Sequence, residues 1–232
     1  MIEIYGVRLE TNIDSLPIWR LVQALPPERQ ERIHRFRRKE DALRTLAADL
    51  LSRLLICNWL NIRNKDIRLT QNAYGKPLLE ENSGLYFNNS HSGEWVVSAI
   101  AGSPVGIDVE KVEEIDFSIA GRFFSEQECL DLDLRRGEAK LNYFFDLWTL
   151  KESYIKAAGT GLSMPLDSFT VRAGNDGRIE LITLNEFRGC SFRQYPIGPG
   201  YKLSVCTQDD RFPDHIGLLS MDELHERFMA YV

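Results

Sequence analysis

The feature that most constrains this chain is a pattern run through twice: a strand, then helices, then a short series of extended segments. In the first run residues 2–9 alternate as a strand. From about Pro26 the spacing turns helical, with Leu43, Leu46, Ala47, Leu50, Leu54 and Cys57 recurring at three and four residues. That helix is expected to reach Leu60, where Asn61 and Asn64 mark its end. Extended segments follow at residues 67–70, 85–88 and 95–101, the last apolar on both faces as a central strand is. The second run opens with a strand at residues 105–111. Ser125, with Glu128 three residues later, has the form of a capping box opening a helix, and a longer helix is expected over residues 141–158. Extended stretches come at residues 167–172, 178–184, 191–195 and 201–207, with Asn175-Asp176-Gly177 as a hairpin turn between the first two. No residue-level repeat accompanies the pattern. It predicts an α+β fold of two similar lobes, each a small, mainly antiparallel sheet packed with helices. The lobes are residues 1–103 and 104–232, joined near Gly102-Ser103-Pro104, with an active-site cleft between them.

Charge narrows the function. The chain has 232 residues with 28 Lys and Arg against 34 Asp and Glu, a net charge of −6, which gives no basic field to attract nucleic acid. Its four cysteines (Cys57, Cys129, Cys190, Cys206) have no CxxC spacing, which argues against zinc and suits reduced thiols. The opening residues alternate like a strand and carry an early acid, so no signal peptide is read there. No apolar run approaches membrane-spanning length, and the expectation is a cytoplasmic protein without a membrane partner. Between residues 29 and 39 six cations (Arg29, Arg32, Arg35, Arg37, Arg38, Lys39) face one acid, Glu31. Such a run reads as a solvated helix face or as a patch for a polyanionic small molecule.

Four short segments carry the chemistry. In Gly106-Ile107-Asp108-Val109-Glu110 the strand period places Ile107 and Val109 on one face and Asp108 with Glu110 on the other. Two adjacent carboxylates repel unless a cation lies between them. Helical spacing stacks Trp148, Glu152 and Lys156. Taken singly, these are also an ordinary i,i+4 pair and the wet face of an edge strand. Taken together, three oxygen ligands suit magnesium, and Lys156 is placed to hold a phosphate or move a proton. Tyr74-Gly75-Lys76-Pro77 is a turn offering close backbone approach and one point charge. Residues 87–93 (Phe-Asn-Asn-Ser-His-Ser-Gly) pack small polar donors between two apolar strands. Ser90 and His91 are chain neighbours pointing oppositely, so they cannot form a nucleophile–base pair, though both can donate to an anion.

In order and spacing these segments resemble the surfactin-type 4'-phosphopantetheinyl transferases. The resemblance rests on YGKP at residues 74–77, FNNSHSG at 87–93, GIDVE at 106–110, FFSEQE at 123–128 and WTLKESYIKAAGTGL at 148–162, supported by KEDALRTL at 39–46 and PLDSF at 165–169. It covers nearly the whole chain. It implies a monomeric pseudo-dimer that binds coenzyme A between its lobes and modifies apo peptidyl or acyl carrier proteins, in a setting such as nonribosomal peptide and antibiotic synthesis. It assigns magnesium to Asp108, Glu110 and Glu152. It places Arg29, Arg32, Arg44, Lys76, Ser90, His91 and Lys156 around the coenzyme A phosphates, with Tyr74, Gly75, Pro77, Asn89, Ser92 and Asp108 in the same site. Glu152 and Lys156 are the catalytic candidates, with Glu128 as a further base or a support. Two readings compete. A metal-dependent phosphohydrolase would transfer to water rather than protein, and a non-catalytic coenzyme A-binding module could dispense with Asp108 and Glu110. Ile115, Phe117, Ile119 and Phe123 form an apolar set that packs the second lobe or grips a carrier helix.

Overall fold

The computed structural model describes residues 2–9, 17–80, 84–173 and 178–232. The strands are β1 (Ile2–Arg8), β2 (Leu69–Gln71), β3 (Pro77–Leu79), β4 (Tyr86–Ser92), β5 (Trp95–Ala101), β6 (Val105–Lys111), β7 (Phe169–Ala173), β8 (Ile179–Thr183), β9 (Ser191–Gln194), β10 (Tyr201–Thr207) and β11 (Gly217–Leu219). The helices are α1 (Pro27–His34), α2 (Lys39–Leu60), α3 (Ala120–Phe123), α4 (Glu126–Asp133), α5 (Gly137–Ala158) and α6 (Met221–Met229).

Each lobe sets its larger sheet against one 22-residue helix, with a two-stranded sheet (β2-β3 or β7-β8) beside them. In the first, a four-stranded sheet of order β11-β1-β5-β4 lies against α2. Every residue of β5 is buried, as befits a strand paired on both sides, to β1 (Ile2↔Ala101 through Arg8↔Trp95) and to β4 (Tyr86↔Ala101 through Ser92↔Trp95). Leu43, Leu46, Ala47, Leu50, Leu51 and Leu54 on α2 are at most 2% exposed, so this helix is enclosed on most sides. It ends where the sequence predicts, at Asn61 in the left-handed conformation with φ 52°. In the second lobe α5 lies against the three-stranded sheet β6-β10-β9 and ends at left-handed Gly159. The capping box at Ser125 and Glu128 is present.

Two glycines let the parts approach. A Cβ on Gly106 would lie 2.0 Å from the Ser153 carbonyl oxygen and 2.4 Å from the Ala157 nitrogen, so the bare backbone of β6 presses directly on α5. Gly93, at φ 55°, turns the β4–β5 hairpin, and a Cβ there would meet the Tyr201 hydroxyl at 2.2 Å.

Four expectations change. The helix expected from Pro26 to Leu60 is two helices, because Arg38 is extended and starts α2 afresh. The strand expected to stop at Asn88 continues to Ser92, its short polar side chains meeting β6 rather than forming a loop. The YGKP turn runs straight into β3, which pairs with β2. The chain's end was not read from the sequence: β11 adds parallel to β1, and Leu219, Met221, Leu224 and Phe228 complete the first lobe's core. By packing, residues 217–229 sit with the first lobe although they lie beyond residue 104. The Asn175-Asp176-Gly177 turn lies outside the described residues, and the strands on either side pair antiparallel (Ala173↔Ile179).

Candidate active site

The lobes meet along β4 and β6. These run side by side, joined by side chains in place of a backbone ladder. Asn88 Oδ1 accepts from the Ile107 amide (2.9 Å), Ser90 Oγ donates to Asp108 Oδ1 (2.8 Å), and Ser92 Oγ donates to Glu110 Oε2 (2.7 Å) while accepting from the Lys111 amide (3.0 Å). The period of two that turns these β4 side chains toward β6 also turns Asp108 and Glu110 toward β4.

Beside this seam lies a cavity of about 470 Å3. Its wall draws on α1 (Arg29, Arg32), α2 (Thr45, Ala48, Asp49), β4 (Asn89, Ser90, His91), β6 (Asp108, Glu110) and α5 (Trp148, Glu152, Lys156). The helix period brings the last three to one face, as the sequence predicts. Lys156 Nζ donates to Asp108 Oδ1 (2.6 Å), to Ser90 Oγ (3.1 Å) and to the Ile107 carbonyl (3.3 Å).

The acids are poorly solvated. Asp108 is 2% exposed and its Oδ2 is buried without a hydrogen-bond partner. Burial raises its pKa against the pull of Lys156. Glu110 is pushed up to about 7, by burial first and then by the Asp108 charge. Burial also raises Glu152, with Lys156 opposing it. Among the described residues no three His, Cys, Asp or Glu side chains are grouped to hold an ion, and Lys156 stands against Asp108. The chemistry of the donors nevertheless suits a hard divalent cation: all are carboxylates, their charges are under-compensated, and one buried oxygen lacks any partner.

Residues 16–104 match the family model for the 4'-phosphopantetheinyl transferase N-terminal region, and residues 104–206 match that of the 4'-phosphopantetheinyl transferase superfamily. The chain is 40% identical over 222 residues to the 4'-phosphopantetheinyl transferase Sfp of Bacillus subtilis (strain 168), covering 96% of this chain and 99% of that one. It is 38% identical over 207 residues to the 4'-phosphopantetheinyl transferase gsp of Aneurinibacillus migulanus, covering 89% and 86%. The chain belongs to the 4'-phosphopantetheinyl transferase superfamily.

Of the residues expected in this transferase's site, Arg29, Arg32, Asn89, Ser90, His91, Asp108, Glu110, Glu152 and Lys156 line the cavity. Ser92 stands just behind, holding Glu110. The others lie elsewhere. Arg44 does not line the wall, since its guanidinium donates to Asp41 (2.6 Å) and the Gly93 carbonyl (3.0 Å). Tyr74, Gly75, Lys76 and Pro77 are not on the cavity wall but lie against the last turn of α5, the turn that carries Lys156, where the Lys76 ammonium donates to the carbonyls of Lys156 (2.5 Å), Val105 (3.1 Å) and Ala157 (3.3 Å). Asn72 Nδ2 donates to the Gly159 carbonyl (2.7 Å). The β2–β3 hairpin of this transferase thus supplies the cap that the C-terminal carbonyls of α5 need.

Glu128 does not reach the cavity, and of its two expected roles the geometry gives it the support. It is fully buried, holds Lys151 Nζ at 2.6 and 2.8 Å, and accepts from the amides of Val171 (2.7 Å) and Ser125 (2.8 Å). Ile115, Phe117, Ile119 and Phe123 are half-buried against the second lobe. Phe117 meets Phe144 edge-on (6.1 Å) and Phe123 meets Trp148 (5.4 Å), which carries this segment to the cavity's edge. Sequence reasoning missed Asp49, whose two oxygens both accept from Arg29, one at 2.8 Å. Its signal was available: a lone carboxylate amid Leu46, Ala47, Ala48, Leu50 and Leu51. Among the described residues no helix is long and apolar enough to cross a membrane.

Proposed function

We propose that this transferase moves the 4'-phosphopantetheine of coenzyme A onto a serine of an apo peptidyl or acyl carrier protein, with magnesium. The observation that carries the reading is one cavity at the lobe seam where Arg29, Arg32 and Lys156 meet three poorly solvated carboxylates, Asp108, Glu110 and Glu152. The carrier serine Oγ forms a bond to the phosphorus bearing pantetheine. The P–O bond to the nucleotide breaks, and adenosine 3',5'-bisphosphate leaves with the electron pair.

Asp108, Glu110 and Glu152 would hold magnesium, which when bound supplies neutralisation of the pyrophosphate charge. Arg29 and Arg32 bind phosphate oxygens, each charge-assisted hydrogen bond contributing about 1.5–3 kcal/mol. Lys156 Nζ donates to the leaving oxygen, Ser90 and Asp108 holding its ammonium in place. Glu152, which faces the cavity one turn from Lys156, accepts the serine proton. The half-buried segment of Phe117 and Phe123 lies where a carrier would dock. The same reading makes the chain a cytoplasmic monomer of two lobes, 1–103 and 104–232 apart from the return of residues 217–229 to the first, acting on neither nucleic acid nor membrane.

The test is to incubate the protein with magnesium, coenzyme A and an apo carrier protein, following the carrier's mass. A gain of one phosphopantetheine supports the proposal. An unmodified carrier with coenzyme A cleaved to free products identifies a hydrolase instead, and loss of transfer on chelation tests the magnesium.

A further inference from the structure

A second cavity, of about 430 Å3, opens on the first lobe, where the 3-10 turn at Pro17–Ala24 and the start of α1 meet α2 and the turn at Asn64–Asp66. Arg53, Asn64, Lys65 and Arg68 line it together with Leu25, Ile67 and the terminal Val232, and no Asp or Glu side chain does. Arg53 is 5% exposed, yet among the described residues its guanidinium makes one hydrogen bond, Nη1 to Asn64 Oδ1 at 2.9 Å. Asn64 is itself fixed. Its Nδ2 donates to the Ala24 carbonyl (2.6 Å) and its amide to the Tyr231 carbonyl (3.0 Å).

Of the carboxylates whose charge reaches Arg53, Asp49, one turn earlier on α2, acts more strongly than Glu28, but both Asp49 oxygens already accept from Arg29. Arg53, Lys65 and Arg68 make no ion pair among the described residues. A guanidinium does not give up its charge, so burying one against a neutral amide leaves that charge under-compensated. With two further cations at the mouth, the missing partner is an anion.

We propose that this cavity binds a small organic anion, a carboxylate or a phosphate, anchored on Arg53. The planar guanidinium matches a two-oxygen acceptor, Lys65 and Arg68 add charge at the rim, and Leu25 and Ile67 take an apolar body. This site is separate from the transfer cavity, the Asp49 carboxylate standing between them on α2.

Inorganic phosphate and succinate are titrated against the full-length protein, by calorimetry and by melting temperature, with sodium chloride at matched ionic strength as control. Anion binding at the transfer cavity is common to wild type and variants and cancels in the difference. The K65Q/R68Q variant, changed at two exposed positions, should bind the preferred probe about tenfold more weakly with carrier modification unchanged. R53M should lose that binding and, without anion, melt no lower than wild type, since a cation lacking its partner has been removed. Preference for phosphate or for succinate names the source. The proposal is overturned if neither probe acts beyond chloride, or if K65Q/R68Q responds as the wild type does. Should R53M not fold, the rim variant alone decides.

Discussion

Glu110 offers the sharpest test of the carboxylate wall. Its carboxyl is raised from 4.5 to about 7 by burial and by Asp108, while Ser92 opposes the shift. At about 1.4 kcal/mol per pH unit, that displacement destabilises the ionised folded state by about 3 kcal/mol, and water at a half-buried carboxylate reduces it to about 2. Between the unfolded and folded values the folded protein keeps a proton that the unfolded chain has released. Stability from this group therefore falls as pH rises from about 4.5 through about 7. Glu110→Gln removes the charge but still accepts from Ser92. At about pH 8 without metal the variant should melt about 4–8 °C above wild type, at roughly 2–4 °C per kcal/mol for a chain of this size. Below about pH 5 the two melting curves should converge. Magnesium should then raise the wild type more than the variant. A constant offset at every pH, or a less stable variant at about pH 8, would refute the reasoning.

Three further outcomes are expected. Gly106→Ala forces a methyl against the Ser153 carbonyl at 2.0 Å, so it should destabilise by at least about 1–3 kcal/mol in urea unfolding and part Asp108 from Glu152, lowering transfer in whatever fraction still folds. Arg32→Ala, losing one charged contact on the cavity wall, should raise the KM for coenzyme A about tenfold with kcat nearly unchanged, and a fall in kcat alone would place Arg32 at the reacting bond instead. Glu128→Ala leaves the Lys151 ammonium buried without its carboxylate and should cost about 3–5 kcal/mol in denaturant unfolding; a variant as stable as wild type would show that the pair contributes little.

The local signals were legible because they depend on near neighbours in the chain. Alternation in β6 put Asp108 beside Glu110, helical spacing put Trp148, Glu152 and Lys156 on one face, and the Ser125–Glu128 box and the Asn61 cap marked helix ends. The twofold pattern gave two lobes with a cleft, and the ordered segments resembled the family the comparisons identify. What the tertiary structure decided is which of these groups share a cavity. Glu128 and Lys156 both belong to family segments, yet one is sealed with Lys151 and the other faces the cavity. That difference arises from the packing of α4 and β7, not from spacing. Lys76 is legible in the sequence as a cation on a turn, and only the fold brings three carbonyls of the second lobe to it. Asp49 meets Arg29 across two helices, Arg53 faces a cavity that no Asp or Glu side chain lines, and β11 returns to β1 from the chain's far end. Each of these depends on contacts between residues distant in sequence, and no periodicity along a single element encodes them.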